Sequence, residues 1–349
     1  MDRALCTLIG SVASLAVLAL FSQAPTMKTA MSWMSETTLG LLFGMTVMLS
    51  YLSETGLLES LAVSAARLSG GVPFRLLLYL ASGTGALSVT LPNLAVVALI
   101  VPVTVSVCKI MRQEPAPFVI AEAIMSTMGS TMTTITNPPN IIIANGLASD
   151  VTAGSFVENV GLGVLITLPF LFIGACFLFP DIRTGSKVHL DVASLTERYP
   201  IKDKPLMHQT VSVLASAILL MFLSPVHGLD PSWFAFGGAL VTLALSSNHE
   251  TFVARMQRVD WDTLLYLAGL FVTVEACHRL RLITFIADGL VFLIEQAPPE
   301  SRLLVALVSI LWIVSIVSGL LDTVPLSIAL VRVIALVADR LNLPVPPLA

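Results

Sequence analysis

Thr136, Asn137, Pro138, Pro139 and Asn140 stand together inside an apolar run, Ile124 to Asn145, in company with Ser126, Thr127, Ser130, Thr131, Thr133 and Thr134. Hydroxyl and carboxamide groups at this density hold a solute by hydrogen bonding and coordination. Two adjacent prolines remove two backbone donors, and the first disfavours helical geometry at Asn137. A helix that continues on both sides of such a break is tolerated at membrane depth only where its backbone is buried in protein or lines a water-filled cavity. Transporters build substrate sites from helices broken in this way. The competing reading is a proline-kinked helix packed through small residues.

The element that must carry these groups is a membrane span. The chain has 349 residues, of which 56% are hydrophobic and 11% charged. Ordinary soluble domains are about 25% charged, and apolar runs near 20 residues recur along the whole sequence, so the composition predicts an all-α polytopic membrane protein. With the charges in loops, the formal net charge of −4 says little about partners. There is no basic cluster or interleaved aromatic patch for nucleic acid. Cys6, Cys108, Cys176 and Cys277 lie in apolar segments without metal spacing and read as small core residues. The five histidines show no metal pairing, and Gly161-x-Gly163 lies inside an apolar run rather than after a strand. No cofactor is implied, and no nucleophile–base arrangement supports an enzyme.

Residues 1–35 hold a first helix, Ala4 to Phe21, read as a retained span rather than a cleaved signal peptide. Residues 36–180 form a first repeat, with apolar arms over 73–110 and the broken segment over 118–148. Residues 181–209 are the most charged part and read as a cytoplasmic linker. Residues 210–349 form a second repeat, with arms over 303–337. Glu36-Thr37-Thr38-Leu39 aligns with Trp261-Asp262-Thr263-Leu264 at an offset of 225, and Ser88 to Asn93 aligns with Ser318 to Thr323 at an offset of 230. Repeats of this size mark many secondary transporters. At the second offset Ala349 corresponds to Val119, so the given sequence has no second counterpart of the broken segment. With the N-terminus inside and both arm pairs folded back without crossing, 12 Lys and Arg residues fall inside and 6 outside or in the second arm pair. That bias fits cytoplasmic loops and an inverted repeat.

The runs Pro102-Val-Thr-Val-Ser-Val-Cys-Lys109, Ile120-Ala-Glu-Ala-Ile124 and Thr136-Asn-Pro-Pro-Asn-Ile-Ile-Ile143 resemble the melanosomal P protein (pink-eyed dilution) group. That group belongs to the ion-transporter superfamily of arsenite permeases, sodium/proton antiporters and citrate carriers. Leu42 to Met45, Ser53 to Gly56, Arg258 to Leu264 and Leu343 to Leu348 fit the same group. The resemblance implies re-entrant hairpins and discontinuous helices that meet near the bilayer centre and bind substrate and coupling ion. Carried over by position, the first hairpin tip is Ser88 to Asn93, the broken-helix loop is Gly129 to Asn140, and the second tip is Ser318 to Thr323. The chain departs from the pattern at Pro92-Asn93 and Asp322-Thr323, where Asp-Asn is usual. It departs again at Thr136-Asn137, where Gly-Asp is frequent, and at Thr127, where asparagine is common. Dimerisation is a further implication, and the location is an organelle or the plasma membrane.

Asp322 is then the only carboxylate at either tip. An acid inside a membrane segment is by default a functional hypothesis, here a proton or sodium site with Ser318, Thr323 and backbone carbonyls as ligands. The alternative is an ion pair with Arg332, which stands where the first repeat has Pro102. Glu122 is expected near the membrane interface, and Glu54 and Glu275 are expected to cap or pair at helix ends. Asn93 and Asn140 each begin a helix whose positive end favours an anion. The sequence therefore predicts a secondary transporter of a small ion or of an organic or inorganic anion, H+ or Na+ coupled. The alternative function is that of a non-transporting or truncated relative with a structural role.

Overall fold

The computed structural model describes residues 3–147, 153–179, 182, 192–245, 253, 256–257, 259–319 and 323–341. Every regular element among them is helical. The first are α1 (Arg3–Leu20), α2 (Met27–Ser32), α3 (Glu36–Glu54), α4 (Leu57–Ser69), α5 (Pro73–Ser88) and α6 (Asn93–Ile110). The broken segment gives α7 (Ala116–Thr131) and α8 (Pro138–Gly146). Then follow α9 (Ala153–Phe156), a π-helical turn (Val157–Gly161), α10 (Leu162–Leu178), α11 (Val192–Arg198) and α12 (Lys204–Phe222). The last are α13 (Ser224–His227), α14 (Pro231–Ala244), α15 (Trp261–Arg279), α16 (Leu282–Glu295), α17 (Arg302–Ser318) and α18 (Thr323–Leu341).

Local chemistry sets many of these bounds. Asp203, Asp230 and Asp260 each occupy an N-cap and accept a backbone N–H from Leu206, Ser232 and Thr263 respectively. Pro73 and Pro231 sit in the first turn of their helices, where a missing N–H costs nothing. Asp203 also explains why α12 starts at Lys204, seven residues before the apolar run from Val211.

The chain divides into two compact units. One comprises residues 1–42, 138–152 and 260–349, the other residues 43–137 and 153–259. In the first unit α1 lies along α15, with Gly269 against the backbone of Thr7 and Leu8. There α18 packs against both α16 and α8. In the second unit α5 packs along α7, and α6 contacts α4, α5 and α7. The pair α12 and α14 packs together, with Gly238 against Met48 of α3 and Ala217 of α12. The end of the expected linker is docked here: α11 packs on α4, Tyr199 Oη shares a hydrogen bond with Ser106 Oγ at 2.8 Å, and Lys202 N donates to Thr55 O at 2.9 Å.

Among the described residues, Arg3–Leu20, Lys204–Phe222 and Pro299–Ser318 are long and apolar enough to cross a membrane, and α3 with α4 adds a bent pair at 61°. Leu162, Phe170, Phe177 and Leu178 on α10, and Leu304, Leu311, Trp312 and Ile316 on α17, are exposed. Uncharged apolar faces of this extent fit contact with lipid.

Candidate functional site

Within the second unit the hairpin tip and the helix break interlock. Helix α5 ends at Ser88, Pro92 caps α6, and Asn93 is the first residue of α6. Ser88 Oγ and Ser126 Oγ share a buried hydrogen bond of 2.7 Å, and Ser126 Oγ donates to Asn93 O at 3.2 Å. Thr133 Oγ1 donates to Val89 O at 2.9 Å and lies 3.1 Å from Thr136 Oγ1, which donates to Ser130 O at 3.1 Å. Ser88, Ser126, Ser130, Thr133 and Thr136 are all buried. Uncharged hydroxyls therefore tie the loop between the two arms to the turn that ends α7. Each buried hydroxyl satisfies a carbonyl or another hydroxyl, as interior polar groups must.

Gly129 makes this approach possible. A Cβ built there would overlap the carbonyl oxygen of Gly85, and one on Gly85 would meet Met125 O at 3.1 Å. Helices α5 and α7 thus cross backbone to backbone, the small-residue contact expected between membrane helices.

The break coincides with the passage between units, since the second unit includes Asn137 and the first resumes at Pro138. Asn137, Pro138 and Pro139 are half-buried and Asn140 is buried. The two prolines have no N–H, so Asn140 and Ile141 carry the first backbone donors of α8. Within its own unit α8 packs on α18, with Gly146 against Val331, and Asn145 Nδ2 donates to Thr38 Oγ1 at 3.1 Å.

Other expected residues stand apart. Thr127 is exposed, with its hydroxyl donating to Ala123 O at 2.9 Å, so it does not join the network around Ser126. Ser318 is half-buried and donates to Ser315 O at 3.2 Å, while Thr323 is exposed at the start of α18. Asp322 lies outside the described residues. Arg332 instead pairs with Glu275, which also accepts from Arg279 Nε at 3.2 Å. Glu275 thus pairs near the end of α15, as expected. The guanidinium of Arg279 lies 4.7 Å from the ring centre of Trp33, a cation–π distance.

Glu122 lies in the interior of the second unit, with 0% exposure, and its Oε1 accepts from Thr104 Oγ1 at 2.6 Å. The sequence did contain a signal. Glu122, Ser126 and Ser130 are spaced four apart, which places them along one face of α7. The partners Val89 O, Asn93 O and Gly85 carry no such signal, because backbone groups are the same in every residue.

The second unit thus has an interrupted helix whose break is tied to the loop between α5 and α6 by buried hydroxyls. The chain belongs to the citrate transporter family, whose model matches residues 1–349. It is 28% identical to the P protein of Homo sapiens and 27% identical to that of Sus scrofa, over 99% of this chain and 50% and 49% of those proteins. An uncharacterized transporter of Mycobacterium tuberculosis is 32% identical over 82% of this chain and 64% of its own length. The chain thus spans about half the length of its animal relatives. Family and fold together make it a multi-pass integral membrane protein.

Proposed function

We propose that the chain is a secondary transporter that moves a small ion or an organic or inorganic anion by alternating access, coupled to H+ or Na+. The observation that carries this reading is the buried hydroxyl network in which Ser126 bonds Ser88 and Asn93 of the hairpin tip, and Thr133, itself bonded to Thr136 at the helix break, donates to Val89 O. Solute would be held by Ser88, Asn93, Gly129, Thr133 and Thr136. Asn137 would lie at the break itself; separately, within the first unit, Pro138, Pro139 and Asn140 would set the start of α8, whose dipole favours negative charge.

The re-entrant reading of residues 73–110 is supported by length. Helix α5 has 16 residues, about 24 Å at 1.5 Å per residue, against a hydrocarbon core of about 30 Å. The two halves, 36–180 and 210–349, are inferred to be inverted repeats. Supporting this, α3 and α15 are both 19 residues long and start at 36 and 261, and the residues before α4 and α16, Gly56 and Arg281, both have positive φ. In the second half, Asp322 with Ser318 and Thr323 is assigned the coupling ion.

Purified protein in liposomes, with an imposed pH or sodium gradient, tests the reading. The family description makes citrate the first probe, with inorganic phosphate second. Gradient-dependent uptake is expected, falling about tenfold or more in Ser126→Ala and Thr133→Val. Uptake that ignores both substitutions, or the absence of any gradient-dependent flux of either anion, overturns it.

A further inference from the structure

We propose that Glu122 is a proton-binding site inside the second unit, where it is held as the neutral acid with its proton on Oε2. Three observations meet at this side chain. It is fully buried in the packing of α7 against α6 and α5. Its Oε1 has one donor, Thr104 Oγ1 at 2.6 Å. Its Oε2 is buried and has no hydrogen-bond partner. A carboxylate ion buried among helices needs a cation or several donors to offset its lost hydration. One hydroxyl is too little, and among the described residues of the second unit no cation faces it.

The surroundings are specific on this point. Glu122 is the only charged residue of α7. On α6 the facing titratable group is Cys108, a buried thiol within electrostatic range, whereas Lys109 is exposed. On α5, Arg75 and Tyr79 are exposed. Helix α10, which also touches α7, carries no charged residue. Protonation therefore removes an unpaired charge and leaves Oε1 still accepting from Thr104. Deprotonation, with the proton leaving to water, creates a buried anion that the packing does not accommodate.

The position gives the proton a mechanical outlet. Ser126, one turn further along the same face of α7, bonds the hairpin tip at Ser88 and Asn93. A change of charge at Glu122 acts on the packing of α6 and α7 that holds that contact. This link to solute binding rests on the transport reading. The protonation itself does not.

The test is labelling with dicyclohexylcarbodiimide, which attacks protonated carboxyls in apolar surroundings, on the full chain in lipid nanodiscs across a pH series. Adduct at Glu122, located by peptide mass spectrometry, is expected at neutral pH and should fall about tenfold per pH unit above its midpoint. Thr104→Val removes the only donor to the anion, so its midpoint should move about one to two pH units higher. Glu122→Gln should fold as the wild type does and lose one protonated-carboxyl band from the infrared spectrum at neutral pH. An unlabelled Glu122 at neutral pH, an unchanged band in Glu122→Gln, or a midpoint unmoved by Thr104→Val each overturns the proposal. Because no flux is measured, these failures leave the transport reading standing.

Discussion

The two stretches proposed as repeats, Glu36 to Ile110 and Trp261 to Leu341, have similar helix bounds but settle nearby interior charges in opposite ways. In the first, a lone acid from the following helix, Glu122, is enclosed and meets one hydroxyl on α6. In the second, Glu275 of α15 holds two cations, Arg279 and Arg332, and both guanidinium groups keep partial access to the surface. The register places Pro102 where the second stretch has Arg332. The difference teaches that equal helix patterns do not imply equal electrostatics. Against one stretch lies an acid with a single hydroxyl donor, whereas in the other the acid is paired with two guanidinium groups.

Helix crossings differ in the same direction, and this is where the largest effect is expected. Gly129→Leu drives a side chain into the carbonyl of Gly85, and backbone cannot rotate aside. A loss of about 3 kcal/mol or more is expected, read as a lowered thermal midpoint in detergent. Gly146→Ala in the other unit meets only the side chain of Val331 and should cost clearly less. Equal losses would erase the contrast.

Next comes Glu275→Gln, which leaves Arg332 and Arg279 without their acid. Loss of charged hydrogen bonds predicts about 1.5–3 kcal/mol, reduced because both guanidinium groups are partly exposed. Pairing it with Arg332→Met in a double-mutant cycle should recover part of the loss, whereas strict additivity would show that the pair contributes nothing.

Smaller again is the exchange at the matched positions before α4 and α16. Gly56 (φ +75°) faces the carbonyl of Pro200, while Arg281 holds φ 61° despite its Cβ. Gly56→Ala should destabilise by about 1–2 kcal/mol. Arg281→Gly should be neutral or stabilising by up to about 1 kcal/mol, since strain relief is offset by unfolded-chain entropy. Urea midpoints of the two variants moving in the same direction would contradict this. Least of all, Thr127→Ala should change stability by less than about 0.5 kcal/mol and leave flux unaltered, because its hydroxyl only returns to Ala123 O.

Much of the architecture was legible beforehand. Proline pairs, caps and apolar runs act over a turn or two, so the helices within 73–110 and the interruption before Asn140 could be read directly. The site was legible in part. Ser88, Thr133 and Thr136 drew attention as polar groups in an apolar run, and their hydroxyls do bond at the tip and the break. Thr127 looked the same in sequence but points outward, and Ser126 needed the fold to identify its partners at Ser88 and Asn93. The partner of Glu122 emerged only from the fold, because nothing in the sequence links it to Thr104.

What the sequence by itself determined is therefore the set of helices, their interruption and their membrane setting, all consequences of short-range sterics and of composition. Which side chains meet was decided by tertiary structure: Glu122 with Thr104, Glu275 with Arg332, Gly129 with Gly85. The physical reason is that a soluble helix shows its buried face by an apolar stripe, whereas a helix in lipid is apolar nearly all round. Periodicity then no longer marks the inward side, and only packing between helices distant in sequence can assign each polar group its partner.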